Sequence, residues 1–269
     1  MGLALCATPI GNLEDVTLRV LRELREADLI LCEDTRHTRV LLDRHGIRAR
    51  ELMSYHRHNE AQRTGELLQR LREGVRVALV SDAGLPAVND PGTRLVAAAL
   101  DAGLPVTVLP GPSAAATALV ASGLASERYQ FLGFLPRTDK AREALWAELA
   151  RWPDTAVAFE SPKRLPASLA SLARVLPERR VAVCRELTKR FEQVVVGRAE
   201  ELAARFSEPP KGEIALVLGP SDVDRGSELE DAASSVAELV AEGVPRRRAV
   251  DLVARLTDLP RNQLYRRSL

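Results

Sequence analysis

Three short turns carry the residues best placed to do chemistry in this chain: ATPIGN at 7–12, SDAGLP at 81–86 and PGPS at 110–113. Each follows an apolar run. Glycine in such a turn admits positive φ and lets a ligand approach the backbone. In open α/β sheets, ligands bind outside the carboxyl ends of the strands. None of the turns forms GxGxxG or GxxxxGK[ST], which leaves both a dinucleotide fingerprint and a P-loop unsupported. Any one of them reads as an ordinary βα connection; the three together point to a site. The pair His56 and His58 invites a metal reading, but His-x-His without further ligands at helical spacing is a poor metal site. No metal is expected.

Bulk properties bound what such a site can serve. The chain has 269 residues, 46% hydrophobic and 28% charged, enough to bury a core and too apolar for disorder. That length suggests two domains, or two plus an appendage. The net charge of +1 gives no global attraction to nucleic acid, and 4% aromatics argues against a surface that stacks several bases. Only four of the 38 basic residues are lysines: Lys140, Lys163, Lys189 and Lys211. Cys6, Cys32 and Cys184 are far apart in apolar runs, so they read as buried thiols in a reducing cytoplasm. The N-terminus lacks a signal-peptide pattern and no apolar run approaches the ~20 residues of a membrane span. A soluble, cytoplasmic protein is expected.

The elements that position the turns follow from periodicity. Strands are predicted at 3–7, 28–32, 51–54, 75–80 and 105–109, alternating with helices at 15–27, 36–44, 59–72 and 92–102. Val16, Val20, Leu21 and Leu24 form one apolar stripe of the first helix. Such alternation implies a mainly parallel sheet. A second series has strands at 129–133, 155–159, 180–185, 193–196 and 214–218, with helices at 140–151 and 165–175. Residues 186–197 are too few for a crossover helix, so antiparallel pairs are expected there. Residues 219–231 read as a Ser/Asp/Gly-rich linker, followed by short helices near 232–242, 246–256 and 261–269.

The chain resembles the class III (tetrapyrrole methylase) methyltransferases, in the branch that methylates small-subunit rRNA. The likeness rests on ATPIGNLED (7–15), CEDTRHT (32–38), SYHRHNE (54–60), SDAGLPAVNDPG (81–92) and LPGPSAAATALVASG (109–123). It continues through FLGFLPR (131–137), FESPKRL (159–165), CRELTKRFE (184–192) and KGEIALVLG (211–219). FESPKRL and CRELTK set this branch apart from the corrin-ring methylases. Asn89 stands where the family often has Ser, a conservative change. The resemblance implies a two-domain α/β fold with a small C-terminal helical appendage, divided at 1–120, 121–222 and 223–269. It implies a homodimer that binds S-adenosylmethionine in the cleft and acts on 16S rRNA in the small ribosomal subunit. It places Pro9 and Gly11 beside the cofactor, Asp82, Ala83 and Gly84 at its methionine part, and Ser113 and Ala114 at the domain junction. Phe134, Glu160 and Gly212 would form the other wall.

The chemistry so implied is 2′-O-methylation of a decoding-centre cytidine. A sulfonium methyl is already electrophilic, so alignment supplies most of the acceleration, and a base within about 3 Å must take or polarise the hydroxyl proton. Glu33 and Asp34 are expected to face the cleft, with Arg36 holding a phosphate. Asp34 reads equally as the N-cap of the next helix. Lys163, at a strand tip in an arginine-rich chain, is a further catalytic candidate, with Glu186 and Lys189 beside it unless they form only a surface ion pair. The segment around His56 and His58 is a candidate RNA contact, with helix capping by Asn59 an equal reading. Arg246, Arg247, Arg248, Arg261, Arg266 and Arg267 make the appendage basic, either a solvated face or an RNA backbone contact. Two other readings stand: a tetrapyrrole methyltransferase on the same fold, and a non-catalytic rRNA-binding or assembly protein.

Overall fold

The structure is a computed structural model that describes residues 2–125, 127–221, 225–257 and 259–269. Its first half is a five-stranded parallel sheet in the order β3-β2-β4-β1-β5. The strands are β1 (Leu3–Cys6), β2 (Leu29–Cys32), β3 (Leu52–Ser54), β4 (Val77–Val80) and β5 (Val106–Leu109). The runs LALC, LILC and VALV are buried throughout because these three strands are covered on both faces. Residues alternate between two cores. Ala4, Cys6, Ile30, Cys32, Ala78 and Val80 meet α1 (Leu18–Glu26) and α2 (Thr35–Arg44) on one face. Leu3, Leu5, Leu29, Leu31, Val77 and Leu79 meet α3 (Glu60–Arg72) and α4 (Thr93–Asp101) on the other.

The helix after β1 and the helix after β4 therefore lie on opposite faces, although β1 and β4 are neighbours. That divergence opens a crevice at the shared carboxyl edge. The stripe Val20, Leu21 and Leu24 is buried as predicted, but α1 starts later than residue 15 because Thr17 caps it, accepting from Val20 N at 3.2 Å.

A helix absent from the sequence reading, α5 (Ala114–Ala121), follows β5. Its apolar residues run all round it, so no amphipathic period marks it. Ser113 caps it. Ala115, Ala118 and Leu119 pack on Val157, Ala182, Cys184 and Val217 of the second sheet, with Ile10 completing the cluster. A division at residue 120 thus falls inside a helix that packs with the second half.

The second sheet runs β6-β7-β10-β8-β9. Its strands are β6 (Tyr129–Phe134), β7 (Thr155–Glu160), β8 (Arg180–Arg185), β9 (Gln193–Arg198) and β10 (Ile214–Leu218). β8 pairs antiparallel with β9, as the short 186–197 connection required, and β10 is antiparallel to both β7 and β8. On the face away from α5 lie α6 (Asp139–Arg151), α7 (Leu165–Val175) and α8 (Ala199–Arg205) around the buried Trp146, whose indole N–H donates to Ser171 Oγ at 3.1 Å. The sequence reading also lacked α8, which is only seven residues long.

The expected linker at 219–231 is corrected in its second half. α9 (Arg225–Ala241) begins there, because Leu229, Ala232 and Val236 are buried against α10 (Arg246–Thr257) and α11 (Arg261–Arg267). That packing overrides the local Ser and Gly content. Residues 222–224 of the linker lie outside the described residues. All three cysteines are buried thiols, as expected, and burial pushes Cys6 and Cys184 up to about 12. No helix among the described residues is long and apolar enough to cross a membrane.

Candidate active site

The three turns leave adjacent strands, β4, β1 and β5, whose parallel register puts their carboxyl ends on one edge. Beyond the strands Thr8 and Gly84 exchange backbone hydrogen bonds, N–H to O at 2.8 Å one way and 3.0 Å the other. The Thr8 hydroxyl donates to Ser81 O at 3.0 Å. Gly84 sits at φ +77, a conformation that glycine reaches without strain. A Cβ on Gly111 would stand 2.8 Å from Ala7 Cβ, so the third turn can close against the first only as glycine.

A cavity of about 600 Å³ opens at this edge, and the second sheet forms its far wall. From the sequence-predicted residues it gathers Asp82, Ala83, Gly84, Ser113, Ala114, Phe134 and Glu160. Phe131 and Phe159 join them, so three of the chain's five phenylalanines line one cavity. The Phe159 ring meets Phe131 and Phe134 edge-on, at 5.0 and 5.7 Å. Phe134 reaches the cavity because β6 is irregular between Phe131 and Phe134, with Gly133 at φ +68.

A second cavity, about 130 Å³, shares Ile10, Asp82, Ala83 and Glu213 with the first. Pro9 and Gly11, expected beside the cofactor, line this smaller space rather than the larger one, together with His37, Thr38 and Lys189. Ile10 borders both cavities, while Pro9 and Gly11 on either side of it line the smaller one alone.

Several expected residues stand outside the two cavities or are engaged elsewhere. Glu33, Asp34, Arg36, Lys163 and Gly212 line neither cavity. Asp34 takes its capping role: its carboxylate accepts from Arg36 N at 2.8 Å and pairs with Arg36 Nη2 at 2.6 Å. The Arg36 hydrogen bonds hold its carboxyl well below the usual carboxylate range. The Asp34 amide donates to Asp82 Oδ1 at 3.2 Å, so the segment touches the site through its backbone. His37 Nδ1 lies 3.7 Å from the same oxygen. Glu160 lines the cavity, but its buried carboxylate accepts from Ser161 N at 2.7 Å and Ser168 Oγ at 2.6 Å and pairs with Arg164. It anchors β7 to α7. Lys163 is exposed beside the lining residues Ser161 and Pro162. Asn59 stands at the N-cap of α3 without capping it: its side chain accepts from His56 N and donates to Ser54 O. Among the described residues no group of three or more His, Cys, Asp or Glu is arranged to hold a metal.

Sequence reasoning singles out the segment around Asp90 but misses the residue itself. Asp90 lines the large cavity, and burial, then Glu33 and Asp82, push its carboxyl up to about 6. No single-residue pattern marks it, because its environment comes from several chain segments at once.

Glu186 and Lys189 do form an ion pair, and it belongs to a junction between the halves. Lys189 Nζ donates to Glu186 Oε1 at 3.0 Å and to Glu213 Oε2 at 2.9 Å, while Glu213 N donates to Glu186 Oε1 at 2.9 Å. Gly212 is at φ +98, and a Cβ there would collide with Glu186 Cγ at 2.3 Å. Gly11 has the same constraint, with Lys189 Cγ at 2.5 Å from its would-be Cβ, and Asn12 N donates to Thr188 Oγ1 at 3.0 Å. The backbone N–H of Glu213, then the Lys189 partner, hold the Glu186 carboxyl below its ordinary range. A carboxyl depressed in the fold adds stability above its unfolded pKa and loses it as pH falls through the folded value. Glu186→Gln is therefore expected to cost about 1 kcal/mol at pH 7 and to lose less stability than wild type on acidification below pH 4.5. Urea unfolding at pH 7 and pH 4 measures both; parallel pH dependences would deny the junction this role.

Comparison with known proteins gives the following likenesses. The family model described as Tetrapyrrole (Corrin/Porphyrin) Methylases matches residues 2–203, and that described as RsmI C-terminal HTH domain matches residues 227–269. The chain is 45% identical over 271 aligned residues to a ribosomal RNA small subunit methyltransferase I of Mesorhizobium japonicum, covering 100% of this chain and 91% of that one. It is 45% identical to the protein of the same name from Micromonospora olivasterospora, over 98% of this chain and 85% of the relative. In fold it is similar to a uroporphyrin-III C-methyltransferase from Thermus thermophilus, solved with S-adenosyl homocysteine. That likeness has a TM-score of 0.56 and 23% identity, covering 81% of this chain and 97% of the other.

Proposed function

The chain belongs to the tetrapyrrole (corrin/porphyrin) methylase family, and from that premise we propose that it transfers the methyl group of S-adenosylmethionine to the ribose 2′-hydroxyl of a decoding-centre cytidine in 16S rRNA, within the small ribosomal subunit. The observation that carries this reading is the extent of the likeness. The rRNA methyltransferases match the chain from end to end, and the C-terminal helices match a domain model of that branch. The fold likeness to the porphyrin enzyme covers 81% of the chain.

The large cavity fits the methyl donor in size and in lining. Its volume of about 600 Å³ falls within the roughly 300–1,000 Å³ of small-molecule sites. Asp82 and the backbone of Ala83 and Gly84 form a polar end suited to the amino-acid portion. Ser113 and Ala114 open α5 at the floor, and Phe131, Phe134 and Phe159 offer a flat apolar wall. S-adenosylmethionine supplies an electrophilic sulfonium methyl; the protein's task is to align an acceptor with it and to remove a proton. Pro9, Gly11 and Gly212 support the cavity from behind, through the Ile10 turn and the Glu186 junction.

The appendage is the part suited to an RNA backbone. Arg261 pairs with Asp251 and Arg267 with Glu230, which leaves Arg247, Arg248 and Arg266 exposed without an ion pair among the described residues. A second copy of the chain is expected against apolar residues of the first half: Leu18 is 85% exposed, Val120 76%, and Val108 lies open on the edge strand β5.

Labelled S-adenosylmethionine incubated with small subunits lacking the modification is expected to leave one alkali-resistant 2′-O-methyl, with naked rRNA a poor acceptor. Tight donor binding without transfer to subunits, and transfer to a porphyrin-like acceptor instead, would replace this reading with the small-molecule one. Arg247→Ala, Arg248→Ala and Arg266→Ala together should weaken subunit binding and flatten its log–log salt dependence by about 0.7–0.9 for each phosphate no longer neutralised; an unchanged slope removes the appendage from the interface. Light scattering should give twice the chain mass, reduced toward the monomer by Leu18→Arg with Val108→Arg.

A further inference from the structure

The methyl-transfer reading needs a base in the cavity, and the lining narrows the choice. Among the described residues it includes no Lys, Arg, His or Tyr; its ionisable groups are Asp82, Asp90, Glu160, Glu213 and Cys184. Cys184 is a buried thiol directed at Ala118 O. Glu160 is held by Ser161 N, Ser168 and Arg164. Glu213 is paired with Lys189 and otherwise faces bulk water, its side chain 74% exposed. Asp82 accepts from the Asp34 amide and has His37 beside it. Asp90 alone among the four carboxylates has neither an ion pair nor a backbone donor in the described structure.

The loop that carries Asp90 is also built to hold it still. Ala87 adopts φ +67, a conformation that costs an alanine energy and persists where the surroundings impose it, and Asn89 adopts φ +63, which asparagine reaches more readily. Arg57 donates to Asn89 O, and the Asn89 side chain lies against Gly133, where a Cβ would stand 2.9 Å from Asn89 Oδ1. Asp90 is therefore clamped from β3–α3 on one side and from β6 on the other.

We propose that Asp90 is the catalytic base of this enzyme, the group that takes the proton from the acceptor ribose hydroxyl. The inference rests on the methyl-transfer reading above. The hydroxyl proton passes to an Asp90 carboxylate oxygen as a lone pair of the hydroxyl oxygen bonds the methyl carbon; the carbon–sulfur pair returns to sulfur, and the proton then leaves to water. The charged groups around Asp90 are Glu33 at the end of β2, Asp82 at the end of β4 and Arg57 after β3, while the Ser81 hydroxyl donates to Gly84 O at 3.1 Å. Burial and the two carboxylates keep its proton affinity near the working pH, which suits a base that must both accept and release.

The test compares wild type, Asp90→Asn and Asp90→Glu on small subunits, with donor binding measured by calorimetry on the same proteins. Asp90→Asn is expected to lower kcat by about 100-fold or more, to leave the donor Kd within twofold and to abolish the acid limb of the pH–rate profile. Asp90→Glu should restore part of the rate. Stability gives a readout without turnover. A carboxyl raised in the fold costs stability as pH rises from its ordinary 3.8 through about 6, so Asp90→Asn should raise Tm relative to wild type at pH 8 and not at pH 4. An Asn variant with over a third of wild-type kcat, or one whose rate falls equally at every pH, overturns the proposal. So does a tenfold weaker donor Kd with kcat recovered at saturation, which would make Asp90 a donor ligand. Wild type that transfers nothing to subunits would instead sink the underlying reading, and this base with it.

Discussion

Thr8 and Gly84 exchange two backbone hydrogen bonds just past the ends of β1 and β4, and the rest of the site hangs on that bridge. It ties the first and second turns together at the point where the following helices part to opposite faces of the sheet. Ile10 is thereby set between the two cavities, and Asp82, Ala83 and Gly84 line the large one. The bridge works because Gly84 reaches φ +77 without strain and because the Thr8 hydroxyl satisfies Ser81 O. Ala7 in turn lies so close to Gly111 that the third turn can carry no side chain at that point. Two glycines thus let three backbones meet where side chains would have held them apart.

The second half is joined to this edge by contacts of the same kind. Gly11 lies under Lys189 and Thr188, Gly212 lies against Glu186, and Gly133 lies against Asn89. At each place a main chain approaches a side chain from the other half, or from a neighbouring loop, more closely than a Cβ would permit. The apolar cluster of α5 and Ile10 on the second sheet supplies the burial that holds these approaches together. Charge is distributed accordingly. The Glu186–Lys189–Glu213 group sits behind the Ile10 turn, where paired charges brace the junction, while the cavity is lined by carboxylates and no cations among the described residues. A cavity of that sign suits a cationic sulfonium and holds up the proton affinity of a carboxyl inside it.

Much of this was legible in the sequence. Buried parallel strands announce themselves as short apolar runs, amphipathic helices by their stripe, and the β8–β9 pairing by a connection too short to cross over. The three turns could be singled out because Gly and Pro have few other uses after an apolar strand. The likeness to the methylase family, carried by segments spread along the whole chain, fixed the two-sheet architecture and the class of chemistry. Where the sequence reading failed, the cause was tertiary. α5 has no polar face to give it a period, and α9 is a helix because Leu229 and Val236 find a core, whatever its Ser and Gly content suggests.

The division at the site follows the same line. Residue type and spacing marked the turns that form the site, since a Gly/Pro-rich turn after an apolar strand is a local signal. The order that brings β4, β1 and β5 side by side is tertiary. Nor did type and spacing determine which way each side chain would face. Asp34, equally readable as cap or catalyst, caps α2 and pairs with Arg36; Glu160, expected at the cavity wall, lines it with a carboxylate engaged by Ser168 and Arg164. Asp90 draws its character first from burial and then from Glu33 and Asp82, two carboxylates far apart in sequence that converge where β2 and β4 end together. Burial and the field of neighbouring charges are sums over the folded surroundings, and only the tertiary structure sets them.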